Sequence, residues 1–144
     1  MIIYLKDKNT IKKAKVEFLD DKVSHGAGIV YYLPKLEYEG EWNNSEFEGY
    51  GKTYYENGNI EYEGYWKKNK PHGLGKNYYK NGKIKYDGEW ADGKSNGLGK
   101  FYDDKGIIMY EGNWKNSKRN GNCKSYDKNG NFISSDIYYD DRKT

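Results

Sequence analysis

Apolar and polar residues alternate along this chain in short runs that return every 24 residues. Ile60, Tyr62, Gly64 and Trp66 share one parity, and Glu61, Glu63 and Tyr65 share the other. This is the two-residue alternation of a β-strand with one apolar face. The equivalent sets are Leu36, Tyr38, Gly40, Trp42, then Ile84, Tyr86, Gly88, Trp90, then Ile108, Tyr110, Gly112, Trp114, which place all four tryptophans in one series. A period between about 20 and 50 residues marks a stacked array, in which one unit cannot bury its own apolar face and its neighbours do so.

After each Trp comes a polar loop of about six residues and then a second strand such as 73–80. Asn57–Gly58, Asn81–Gly82, Lys105–Gly106 and Asn129–Gly130 follow these second strands. Asn-Gly favours a two-residue hairpin connection in which both residues tolerate positive φ. The prediction is an all-β protein, an elongated single-layer antiparallel β-meander of stacked hairpins. Its array spans residues 25–133, with a degenerate copy opening at His25–Gly28 and four regular copies, the last decaying. Residues 1–24 form an irregular capping segment, in which Ile3, Leu5, Ile11, Val16 and Phe18 favour a first hairpin. Pro34 suits a tight turn in the degenerate copy. Residues 134–144 are a closing strand or a tail.

Columns recur at the same spacing. Tyr54, Tyr78, Tyr102 and Tyr126 form one, and Tyr50, Leu74 and Leu98 form another that ends in Asn122. Lys52, Lys76, Lys100 and Lys124 are a basic column, and Glu39, Glu63, Asp87 and Glu111 an acidic one. Cross-strand pairing between these two would help pin the register. The glycine pairs Gly49/Gly51, Gly73/Gly75 and Gly97/Gly99 weaken a strand interior. Space for a ring explains them, with Trp66 over Gly73 or Gly75. In the fourth copy Cys123 replaces the second glycine, which predicts looser packing there and a buried, inert thiol.

Composition narrows the class. Mean hydropathy of -1.22 over 144 residues suggests disorder, whereas 17 Tyr and 17% aromatic residues do not. A thin fold whose apolar area comes from amphipathic rings satisfies both. With 25 basic and 22 acidic residues the charge is too balanced to announce a nucleic acid or an anionic membrane. One cysteine excludes an internal disulfide framework and fits a reducing compartment, cytoplasmic or otherwise intracellular. No signal peptide or transmembrane run is present in the sequence.

The four YxGxW runs, with HGLG at His72–Gly75, resemble the MORN repeat family (membrane occupation and recognition nexus). Tyr62–Gly75, YEGYWKKNKPHGLG, is the best match and Tyr86–Gly99, YDGEWADGKSNGLG, follows. The step is one residue longer than the family's usual unit. The midloop Gly survives only as Gly93, where other copies carry Ser45, Asn69 and Ser117, and the His survives at His72 and His25. The resemblance implies a single-layer sheet serving as scaffold, dimerisation element or adaptor, with phospholipid binding in some members. The Tyr-Tyr-x-Asn-Gly runs also resemble small bacterial MORN proteins with an antitoxin-like label.

Sites for chemistry are sparse. GLGK at Gly73–Lys76 and Gly97–Lys100 lacks the spacing, Lys-Ser/Thr ending and helix of a phosphate loop. His25 and His72 are too far apart in a linear array for a shared metal, and repeated acids on a narrow sheet do not make a glycosidase cleft. We therefore expect no catalytic or metal-binding residues, no cofactor and no small-molecule substrate. Tyr38, Gly40, Trp42, Tyr62, Gly64, Trp66, Tyr86, Gly88, Trp90, Tyr110, Gly112 and Trp114 are assigned to the structural core. Tyr54, Tyr78, Tyr102 and Tyr126, with Lys67, Lys68, Lys70, Lys115, Lys118 and Arg119, are the candidate interaction surface, for a protein partner or self-association first. An anionic membrane is the alternative, and nucleic acid is disfavoured because rings used for packing are not free to stack bases.

Overall fold

The computed structural model describes the backbone of Ile2–Asp7, Thr10–Lys15, His25–Tyr32 and 35–144, with side chains from Tyr38 onward. Strands β1 (Ile2–Asp7) and β2 (Thr10–Lys15) pair antiparallel as a separate two-stranded sheet. This is the predicted first hairpin; Val16, Phe18 and Pro34 lie outside the described residues.

The remaining strands are β3 (His25–Tyr32), β4 (Lys35–Asn43), β5 (Glu46–Tyr54), β6 (Ile60–Lys67), β7 (Lys70–Tyr78) and β8 (Ile84–Ala91). They continue with β9 (Lys94–Tyr102), β10 (Ile108–Lys115), β11 (Lys118–Tyr126), β12 (Phe132–Tyr139) and β13 (Arg142–Lys143). They form one open 11-stranded sheet in chain order, every neighbour antiparallel. This is the expected single-layer meander. β12 runs through position 134 without a break, pairing Gly121 with Tyr138 and Ser125 with Ser134, so the closing segment is a strand in phase with the array.

The turns are the reverse of those expected. The connection after each Trp is a two-residue turn: Lys67 pairs with Lys70, and Lys68 and Asn69 have φ of 49° and 63°. Asn44–Ser45, Asn116–Ser117 and Asp140–Asp141 repeat this geometry, and Asp92–Gly93 fills it in the third copy. The Asn-Gly sites instead carry a longer loop. At the first, the Gly58 amide donates to Tyr55 O at 2.9 Å and the Tyr55 amide to Asn59 O at 2.8 Å. There only Gly58 takes positive φ, of 85°. Asn57 is used for its side chain, which accepts from the Asn59 amide at 3.0 Å and donates to Lys80 O, one repeat on, at 2.8 Å.

The core lies on one face of the sheet. Tyr38, Tyr62, Tyr86 and Trp66 are buried, with Trp42, Phe47 and Trp90 packed against them. Each Tyr stands edge-on between the Trp of its own copy and that of the next: Tyr62 to Trp66 at 5.0 Å and to Trp90 at 5.3 Å, Tyr86 to Trp90 at 5.3 Å and to Trp114 at 5.5 Å. Edge-to-face pairs of this kind add about 0.5–1.5 kcal/mol each beyond area burial.

Glycines make room for Tyr rather than for Trp. A Cβ on Gly51, Gly75 or Gly99 would collide with the phenol of Tyr38, Tyr62 or Tyr86 respectively. Those hydroxyls continue past the glycine and donate to the carbonyls of Glu41, Tyr65 and Glu89 at 2.9, 3.0 and 3.3 Å. The expected placement of Trp66 over Gly73 or Gly75 is therefore corrected. Its indole reaches back one repeat and donates to Gly51 O at 3.1 Å, as Trp90 does to Gly75 O at 3.0 Å and Trp114 to Gly99 O at 3.1 Å.

Cys123 changes the fourth copy. It occupies the position of those glycines, opposite Gly112, and is buried. The Tyr110 ring is only half-buried and makes no hydroxyl bond of the repeating kind among the described residues. It turns instead toward Phe101 at 6.3 Å and the Arg119 guanidinium at 4.2 Å. Burial pushes the Cys123 thiol up from its ordinary pKa, which disfavours the reactive thiolate.

Candidate interaction surface

The face opposite the Tyr/Trp core carries the charged columns. Cα register sets Lys52 opposite Glu63, Lys76 opposite Asp87 and Lys100 opposite Glu111. Their side chains approach to 3.4, 3.4 and 3.8 Å. Partly exposed pairs like these contribute about 0–1 kcal/mol each, so they hold register more than they add stability.

Of the predicted Tyr column, Tyr54 and Tyr126 donate to Glu39 and Glu111 at 2.8 Å, and Tyr78 hydrogen-bonds Glu63. Burial, with the Glu63 charge next, pushes Tyr78 up to about 12. All four rings, Tyr102 included, are half-buried. These three hydroxyls are therefore already engaged within the sheet.

Lys67, Lys68, Lys70, Lys115 and Lys118 are exposed at the two-residue turns, as predicted for loop cations. Arg119 is separate from them. Its guanidinium is sandwiched 4.2 Å from the ring centroids of both Tyr110 and Tyr138, and its Nε donates to Asp141 Oδ1 at 3.1 Å. It holds the end of the aromatic ladder, where Tyr138 takes the place of a fifth Trp.

Exposed apolar side chains fall elsewhere: Phe132, Ile133 and Tyr139 cluster on β12, and five others form a row that crosses the sheet on the charged face. Tyr50 lies opposite Tyr65, their rings 5.6 Å apart and nearly perpendicular. Leu74 follows opposite Glu89, Leu98 opposite Asn113, and Ile137 opposite Asn122. Tyr50, Tyr65, Leu74 and Leu98 are 42%, 51%, 63% and 60% exposed, too open for core residues. An open depression of about 340 Å³ sits at Leu98, bordered by Asp87, Lys100, Tyr102 and Glu111. The sequence columns contained Tyr50, Leu74 and Leu98 but missed Tyr65 and Ile137. The available signal was their parity, which places large apolar groups opposite to Trp.

Among the described residues no group of three His, Cys, Asp or Glu side chains could hold a metal ion. Within the same residues no helix is long and apolar enough to cross a membrane.

The fold defines a single-layer β-repeat protein. The MORN repeat family model matches at residues 38–60, 62–84, 86–107 and 110–132, and the chain belongs to that family. No curated protein matches it.

Proposed function

We propose that this chain is a non-catalytic scaffold or adaptor that binds a protein partner on its charged face. The exposed row of Tyr50, Tyr65, Leu74 and Leu98 supports this reading. The core Tyr and Trp rings are consumed in packing, whereas these four contribute little to burial and lie in one strip across the sheet, which Glu89 interrupts between Leu74 and Leu98. Strips of this kind mark interaction sites on soluble proteins. A single buried thiol suits an intracellular reducing compartment. The test is chemical cross-linking in native lysate followed by mass determination, with Leu74→Ser/Leu98→Ser as control. A discrete complex lost in the control supports the scaffold; identical behaviour of both proteins rejects this face.

A second reading, an anionic membrane surface, draws on the exposed turn lysines Lys67, Lys68, Lys70, Lys115 and Lys118. Pelleting with phosphatidylserine vesicles, repeated after replacing those lysines by Gln, tests it. Absence of pelleting at low salt rejects it.

A further inference from the structure

We propose that Asn129–Gly130 is a site of covalent modification, where Asn129 deamidates through a cyclic imide to aspartate and isoaspartate. Asn57–Gly58 and Asn81–Gly82, the same dipeptide at the same place in earlier copies, are protected by the stacked array. The proposal is independent of what the charged face binds.

The reaction needs only the chain and water. The Gly130 backbone nitrogen attacks Asn129 Cγ, an N–C bond forms, the bond from Cγ to Nδ2 breaks, and ammonia leaves carrying the proton of the Gly130 amide. Water then opens the imide at either carbonyl, giving aspartate or an isoaspartate whose main chain runs through the former side chain. Glycine as the following residue favours the attack because it has no Cβ to obstruct the approach.

The three sites share one backbone. Gly58, Gly82 and Gly130 have φ of 85°, 84° and 82°. Their amides donate to the carbonyls of Tyr55, Tyr79 and Asp127, each at 2.9 Å. The nucleophile is thus held alike in all three, and the difference lies in the asparagine side chains. Asn57 Nδ2 donates to Lys80 O at 2.8 Å while its Oδ1 accepts from the Asn59 amide at 3.0 Å. Asn81 repeats both contacts, to Asp104 O at 2.7 Å and from the Lys83 amide at 3.0 Å. These carboxamides are fixed at both ends, and neither can turn toward the glycine nitrogen without breaking the bonds.

Asn129 lacks both contacts. Asp127 stands where the earlier copies have Tyr55 and Tyr79, and its Oδ1 accepts from the Asn131 amide at 2.9 Å and from the Asn129 amide at 2.8 Å. The Asn131 amide is the counterpart of those at Asn59 and Lys83, so Asn129 Oδ1 loses its donor to Asp127. No carbonyl receives its Nδ2: among the described residues the exposed Asn129 side chain has no hydrogen-bond partner. Asp103 captures the equivalent amides of Lys105 and Ile107 at 3.0 and 2.8 Å, but Lys105 stands in place of asparagine there. The remaining Asn-Gly steps, Asn96–Gly97 and Asn120–Gly121, lie inside the paired strands β9 and β11. Isoaspartate at 129 would add a methylene to the main chain of the loop that leads into β12.

The test is incubation of the folded full chain at mildly alkaline pH, followed by proteolytic digestion and mass spectrometry, with chromatographic separation of aspartate and isoaspartate peptides. Asn129 should convert roughly tenfold or more faster than Asn57 and Asn81, each of which must first break two hydrogen bonds. In urea that unfolds the chain, the three rates should converge. Absence of conversion at Asn129, or Asn57 or Asn81 reacting as fast in the folded chain, overturns the proposal. So does a folded-state ranking that persists unchanged in urea, for it would assign the difference to flanking residues rather than to the stacked copies.

Discussion

The Tyr62 hydroxyl crosses over Gly75, in the volume that a Cβ there would need, and donates to the Tyr65 carbonyl at 3.0 Å. Gly75 and Tyr62 are thus two halves of one packing unit, repeated at Gly51 with Tyr38 and Gly99 with Tyr86. Gly75→Ala should cost about 1–3 kcal/mol by overpacking. In Tyr62→Phe/Gly75→Ala the loss should be smaller than the sum of the single losses, because removing the hydroxyl relieves part of the collision. Urea denaturation measures all three; strict additivity would show that ring and glycine do not share this space.

The indoles report a different bond. Trp66 is buried and donates to Gly51 O of the preceding copy at 3.1 Å. Trp66→Phe keeps a ring but removes the indole donor to that carbonyl, an expected loss of about 0.5–1.5 kcal/mol. Trp66→Ala removes the ring contacts as well, with about 3–5 kcal/mol expected. Equilibrium unfolding followed by far-ultraviolet circular dichroism ranks the pair. A Phe variant as stable as the parent would remove the inter-repeat hydrogen bond from the account of stability.

Strand order, face and core were legible because parity and the 24-residue step act through local chain geometry. Turn assignment was less accessible. Asn57–Gly58 has the composition of a two-residue turn, yet the inter-repeat bond from Asn57 to Lys80 O and the five-residue loop compete successfully with that local preference. The chemistry at the opposite turns is also non-local: Asn69 Oδ1 accepts from the Phe47 amide at 2.7 Å, and Asp141 Oδ1 from the Arg119 amide at 2.8 Å. In one of the two intervening copies Pro71 has no amide hydrogen and Gly93 no side-chain acceptor, so donor and acceptor are lost together. Such pairs, 22 residues apart, are visible only once the copies are stacked. The exposed row was hidden for a related reason, since Tyr65 and Ile137 join Leu74 and Leu98 only through register.

Asn69 combines φ of 63° with that bond to Phe47. Asn69→Gly keeps the backbone relaxed and loses the bond, whereas Asn69→Ala loses both. The Ala variant should therefore be less stable than the Gly variant, by about 1 kcal/mol. Thermal unfolding of the two side by side checks the order; Ala at or above Gly would contradict the turn geometry.

Alkaline pH should unfold the array. Burial raises the phenol pKa of Tyr38, Tyr62 and Tyr86 above the ordinary 10.0, and moves Tyr78 to about 12. The folded state holds these protons after the unfolded chain has released them. Stability is therefore full below about pH 10 and falls as pH rises toward and through the folded pKa values. Each phenol held protonated contributes a slope of about 1.4 kcal/mol per pH unit. Absorbance at the phenolate band should show exposed tyrosines titrating first and the buried ones ionising together with loss of circular dichroism. Full ionisation of all tyrosines near pH 10 with the sheet intact would refute this linkage.

The C-terminal end depends on a charge where the interior uses rings. Arg119 lies between Tyr110 and Tyr138 and is tied to Asp141, whose amide donates to Arg119 O at 3.0 Å. Cation–π contacts of this kind contribute about 0.5–2 kcal/mol, and the half-exposed ion pair adds little by itself. Because Arg119 sits at one end of a quasi-one-dimensional array, its loss should act locally. Arg119→Ala should raise hydrogen exchange in β12 and β13 while β6 to β8 keep their protection. Arg119→Lys should recover little, for an ammonium cannot stack flat between two rings. Exchange that rises equally across β6–β12 would show that the end is coupled to the whole sheet, and unchanged exchange at Tyr138 and Tyr139 would show that the stacked guanidinium is not what holds β12 in place.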